Sequence, residues 1–187
     1  MATVSVTPQQ FTFVMYDAGR IAEIASTLAD QLGFGADEVI EIDIDEKTPL
    51  ARTRIDSLES PVKLFVEGGA LEDSQTPRHL GERASATSIG RLLLRVLDRR
   101  SGRFADAPAE DQLTLPQVVA WDTTAMGRLS ALGYDAQEPR RRYAFRNRHG
   151  FTDTADQVFD RLWASDEPTW ADVAAACEET ARVIQPA

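Results

Sequence analysis

Apolar and polar residues along the chain fall into two kinds of rhythm, a period of two near the start and a helical period thereafter. Phe11, Phe13 and Met15 alternate with Thr12 and Val14, which predicts a first strand over 11–15. Asp17 can cap a following helix, whose apolar positions Ile21, Ile24, Ala25, Leu28 and Leu32 recur at helical spacing. Gly33 suits the residue after that helix, with Phe34 folding back onto it. Ile40, Ile42 and Ile44 then alternate with Glu41, Asp43 and Asp45, a strand with one apolar and one acidic face. Pro61 to Glu67 reads as a third strand, closed by Gly68 and Gly69.

From there the pattern is helical. Ile89, Leu92, Leu93, Val96 and Leu97 line one side of a helix, with Arg91, Arg95, Asp98 and Arg99 on the other. Thr114 and Gln117 have capping-box spacing, and Pro116 sits in the first turn, where its missing N–H costs little. The helix they open carries Leu115, Val118, Val119, Met126, Leu129 and Leu132 and stops at Gly133. Thr152 or Asp153 can start another through Val158, Phe159, Leu162 and Trp163. Thr169 and Asp172 repeat the capping-box pattern before a last helix through Val173, Cys177, Thr180 and Ile184. The expected fold class is therefore α+β: a small sheet with a β-α-β-β start, packed on a four- to five-helix C-terminal half. A single domain spans 1–187, with an α/β part over about 1–100 and a helical part over about 112–187. The Ala-, Pro- and Asp-rich loop at 101–111 could mark a subdomain boundary.

Composition narrows the classes. A chain of 187 residues, 43% hydrophobic and 27% charged, has the ordinary globular balance. No apolar run reaches the roughly 18–20 residues of a membrane span, and no secretory signal pattern opens the chain, so no membrane association is expected and the cytoplasm is the expected compartment. Cys177 is the single cysteine, which excludes an intramolecular disulfide and a multi-cysteine zinc site.

The net charge of −10 argues against nonspecific binding to nucleic acid or anionic membrane. That charge is unevenly spread. Residues 140–149 hold five arginines and no acid inside an otherwise acidic molecule. If this stretch is extended, Arg142, Arg146 and Arg148 share one face and Tyr143 and Phe145 the other. Guanidinium groups hold carboxylate or phosphate in a planar fork, and an aromatic ring can stack on a ligand. Arg140, Arg142, Arg146, Arg148 and Tyr143 are thus the candidate ligand-binding residues, for an anionic small molecule or an acidic protein partner. The competing reading is ion pairing with the chain's own carboxylates, such as Glu41, Asp43 and Asp45. Nucleic acid is the weaker partner class, because no RNA-binding fingerprint is present and the flanks are acidic.

Other candidates are plainer. His149 and Asp153 are weak candidates for a catalytic acid–base pair, serving an enzyme that holds an anionic substrate on the arginines. Asp153, Asp156 and Asp160 run along one side of the helix they open, where capping and solvation explain them better than a metal site. His79 reads as part of a surface loop, together with Glu72 and Asp73, and Cys177 as a small hydrophobe in a helix stripe. No glycine-rich phosphate loop and no nucleophile elbow occurs. No cofactor and no metal are expected. The reading that follows is a binding or regulatory module working through the Arg140–His149 segment, with the small enzyme as the alternative.

Overall fold

The computed structural model describes residues 1–184, the side chain of Ile184 excepted, and divides into two compact units that meet in sequence at Leu97 and Asp98. The fold is α+β. The first unit holds β1 (Thr3–Thr7), α1 (Ala18–Gln31), β2 (Val39–Asp45), β3 (Thr53–Ser57), β4 (Val62–Glu67) and most of α2 (Glu82–Arg100). The second unit holds α3 (Leu115–Ala131), α4 (Glu138–His149), α5 (Asp153–Trp163) and α6 (Trp170–Ile184).

The sheet runs β1-β2-β4-β3, with β1, β2 and β4 parallel and β3 antiparallel to β4. Ile40, Ile42 and Ile44 of β2 are buried, as are Val62, Leu64 and Val66 of β4, so the alternation in sequence becomes one apolar sheet face. Glu41 on the other face sits opposite Lys63, with their charged groups 3.5 Å apart. Asp17 caps α1 by accepting from the Arg20 amide at 3.1 Å. The helix ends at Gly33, whose φ of 83° is the left-handed conformation that glycine adopts without strain, and Phe34 donates back to the Ala29 carbonyl.

Two strand assignments differ from the sequence reading. The segment 11–15 is not a strand, and β1 lies earlier, at Thr3–Thr7. Phe13 and Met15 are 55% and 71% exposed, so their alternation follows no buried face. The amides of Thr12 and Phe13 instead donate to the Glu46 carboxylate, both at 2.7 Å, which takes them out of any ladder. The unforeseen strand, β3, is an edge strand with Ile55 as its single large apolar residue, too little for a hydrophobic pattern to register. The start is β-α-β-β-β.

In the second unit, Phe104, Trp121, Phe145, Phe159, Leu162 and Val173 form one buried cluster, with Trp170 at its edge. Trp121 stacks on Phe104 at 4.4 Å between ring centroids. Both capping boxes form as spaced: Thr114 with Gln117, and Thr169 with Asp172. The buried face of α3 is centred on Ala120, Trp121, Thr124, Ala125 and Leu129, while Leu115 and Leu132, expected in its stripe, are 59% and 41% exposed. Thr152 caps α5 by accepting from the Ala155 amide. The expected contribution of Ile184 to the stripe of α6 lies outside the described residues. Among the described residues, no helix is long and apolar enough to cross a membrane.

Candidate functional site

The arginine-rich segment is helical, and this decides which of its side chains meet. Pro139 stands in the first turn of α4, and Gly150, with a φ of 93°, ends it. Only Phe145 and His149 of this helix are buried, one turn apart, so no long apolar stripe announces it in the sequence. With a period of 3.6, Arg142 and Arg146 fall on one side and part from Arg148, with which an extended chain would have grouped them.

That side faces the acids of α5. One terminal nitrogen of Arg142 lies 2.8 Å from Glu138 and 2.5 Å from Asp160. Its guanidinium also covers the Phe159 ring at 4.3 Å. Arg146 makes a two-point fork on Asp156, Nε to Oδ1 at 2.7 Å and Nη2 to Oδ2 at 2.6 Å. The hydrogen bonds from Arg146 hold the Asp156 carboxyl below the usual carboxylate range. The row Asp153, Asp156, Asp160 is thus split: two acids neutralise α4, and Asp153 opens α5 in solvent.

The other side of α4 is open. Arg140, Tyr143, Ala144, Asn147 and Arg148 are all exposed and follow the three-and-four spacing of one helical side. Tyr143 is 60% exposed and Phe151, just past the helix, 63%. Their rings meet edge to face, 5.9 Å apart at 70°. Among the described residues, the Arg140 guanidinium bonds only the Gln137 side chain, at 3.5 Å, and no carboxylate pairs with Arg140 or Arg148. Sequence reasoning missed Phe151 and Asn147, because their membership of this face depends on the helix. Pro139 in the first turn and Gly150 just past the end of this twelve-residue helix were the signal that could have disclosed it.

His149 and Asp153 are not brought together as an acid–base pair. The imidazole is 1% exposed, with Nδ1 2.9 Å from the Thr180 hydroxyl and Nε2 3.0 Å from the Pro116 carbonyl oxygen, and it stacks on Phe145 at 3.9 Å. Both ring nitrogens are therefore committed inside the helical core. Burial pushes its pKa below the ordinary histidine value. Cys177 lies against the same core, and burial, with Glu178 nearby, raises its thiol to about 11, the opposite of an activated nucleophile. His79 is exposed on its loop. Among the described residues, no group of three or more His, Cys, Asp or Glu side chains gathers to hold a metal ion.

Compared with known proteins, the chain matches no family model, no curated protein and no solved structure.

Proposed function

We propose that this protein is a binding module that captures an acidic segment of a partner protein on the open side of α4, through Arg140, Tyr143 and Arg148 with Phe151 beside them. One observation carries the reading. Two arginines without a carboxylate partner among the described residues flank two exposed aromatic rings, on a chain whose net charge is −10. Tyrosine and arginine are the side chains that most often dominate protein interfaces, since each supplies large contact area together with a polar handle. Arg142 and Arg146 belong to the scaffold in this reading: they fix α4 against α5 and leave the outer arginines to bind. A helix side is an open surface, which suits an extended partner better than a small molecule that needs enclosure. The positive charge on it selects acidic sequence and sets the encounter rate.

The test is a titration of the full chain with a fluorescent peptide of Asp, Glu and Leu, and with the same peptide carrying Lys in place of the acids. The acidic peptide should bind, and binding should weaken as salt rises, because exposed charges are screened within roughly 8–10 Å at moderate ionic strength. Arg140→Glu with Arg148→Glu should weaken it by about tenfold or more, near 1.4 kcal/mol. Tyr143→Ala should weaken it too, and Arg146→Ala should not act through the contact surface. Equal affinity for both peptides, or unchanged affinity in the double charge reversal, would discard the reading.

A further inference from the structure

The first unit holds a cleft of about 520 Å³ that the sequence did not disclose. This volume lies within the roughly 300–1,000 Å³ of small-molecule pockets. Its walls come from the loops that follow β1, β2 and β4, the three parallel strands. It therefore opens at their carboxyl ends, where parallel sheets place ligands because the connecting loops diverge there.

The loops are tied together around it. Glu46, after β2, draws in the β1 loop by accepting from the amides of Thr12 and Phe13. Tyr16 donates its hydroxyl to the Gly68 carbonyl at 2.7 Å, joining the same loop to the end of β4. Met15 donates its amide to the Arg78 carbonyl at 2.7 Å. Gly69 packs so closely on the Pro49 carbonyl that a Cβ there would lie 2.1 Å from the oxygen, so the floor is a direct contact of two backbones. Arg78 itself adopts a φ of 63°, a left-handed conformation uncommon for a residue with a side chain. Around this frame stand the Phe13 ring, 55% exposed, and four charged side chains, Glu46, Lys47, Glu72 and Arg78.

Their signs decide the ligand. Lys47 lies 5.9 Å over the Phe13 ring, and no carboxylate of the described residues forms a salt bridge with it or with the Arg78 guanidinium. Glu46 and Glu72 accept hydrogen bonds from main-chain amides, Glu72 from that of Arg78 at 3.0 Å, and both carboxylates line the cleft. A purely anionic ligand would face two carboxylates, and a purely cationic one would face a lysine and an arginine. Only a molecule with both charges is matched on both sides.

We infer that this cleft binds a small zwitterion of the amino-acid type, its carboxylate toward Lys47 and Arg78, its ammonium toward Glu46 and Glu72, and an apolar side chain against Phe13. The site is separate from α4 and does not depend on the function proposed there.

Calorimetric titration of the full chain with L-phenylalanine, L-leucine and the dipeptide leucyl-phenylalanine tests it, alongside L-phenylalaninamide and N-acetyl-L-phenylalanine. At least one free zwitterion should bind, and the amide and the N-acetyl form of phenylalanine should each bind roughly tenfold or more weakly than the parent. Lys47→Ala with Arg78→Asn should abolish binding. Asparagine tolerates the left-handed backbone at 78, and the exposed Lys47→Glu change alone provides a second variant if the pair fails to fold. Arg140→Glu with Arg148→Glu should leave the titration unchanged. The inference is overturned if none of the three zwitterions binds, if the N-acetyl or amide form binds as tightly as the parent, or if affinity survives the cleft variants.

Discussion

Arg128 grips Asp98 with both terminal nitrogens, Nη1 to Oδ1 at 2.8 Å and Nη2 to Oδ2 at 2.7 Å, and the Asp98 side chain beneath it is fully buried. The same carboxylate accepts from the Trp121 indole N–H at 2.7 Å, so a buried charge is met by three donors on α3. Trp121 in turn carries the Arg99 guanidinium over its ring at 4.9 Å and stacks on Phe104. Both the charge and the aromatic core of the second unit thus depend on one aspartate.

Asp98→Ala should cost about 3–5 kcal/mol, because it leaves the Arg128 charge uncompensated in a dry setting and orphans the indole N–H. Asp98→Leu combined with Arg128→Met should restore most of that loss, since a buried ion pair and a well-packed apolar pair are close in free energy. Urea denaturation followed by tryptophan fluorescence measures both. A loss below about 1 kcal/mol in Asp98→Ala would show that water reaches the site.

How much of this was legible in the sequence depended on whether a residue's role is local. The capping pairs Thr114–Gln117 and Thr169–Asp172, the Asp17 cap and the Gly33–Phe34 closure act within one turn, and each appears where its spacing placed it. The isoleucines of β2 were legible because burial on one face enforces a period of two. Phe11, Phe13 and Met15 show the same period without that cause: a glutamate 33 residues away claims the amide of Phe13, and no local pattern reports so distant a partner. The concentration of arginine at 140–149 was visible, but its division into an inner pair and an outer pair required the helix. The cleft was invisible for the same reason as Asp98: its side chains come from four separate segments and converge only through the topology of the sheet.

His149 gives the second unit a pH dependence. Its folded pKa is depressed by burial, so between that value and the unfolded value near 6.5 the unfolded chain binds a proton that the native state refuses. Stability is therefore fully present above about pH 6.5 and falls as pH drops toward the folded pKa, below which this contribution levels off. His149→Gln should remove that component and lower stability at pH 7.5 by about 1–3 kcal/mol, since the Thr180 hydroxyl and the Pro116 carbonyl lose a well-placed partner. Urea midpoints of the wild type and the variant between pH 5 and 8 give the comparison. Parallel curves would mean that the imidazole titrates alike in the folded and unfolded chain, against its burial and its contact with Phe145.

Gly127 reverses the usual rule for a glycine within a helix. Alanine there gains roughly 1 kcal/mol of helix propensity, yet a Cβ on Gly127 would lie 1.9 Å from the Trp163 carbonyl oxygen and 2.7 Å from its carbon. Those are backbone atoms at the end of α5, so no side-chain rotation relieves the overlap. The two helices must separate, and the contacts of Leu162 and Phe159 with the buried cluster loosen together. Gly127→Ala should therefore destabilise the protein by about 1–3 kcal/mol, the cost of overpacking, in spite of the propensity gain. Gly133→Ala is the internal control: a Cβ there meets nothing within 4 Å, and its φ of 92° strains an alanine without touching α5. Both variants should lower the thermal midpoint. Only Gly127→Ala should also alter the near-ultraviolet circular dichroism of the packed tryptophans, because only it moves Trp163. An unchanged aromatic spectrum in Gly127→Ala would mean that α3 and α5 do not meet at this glycine.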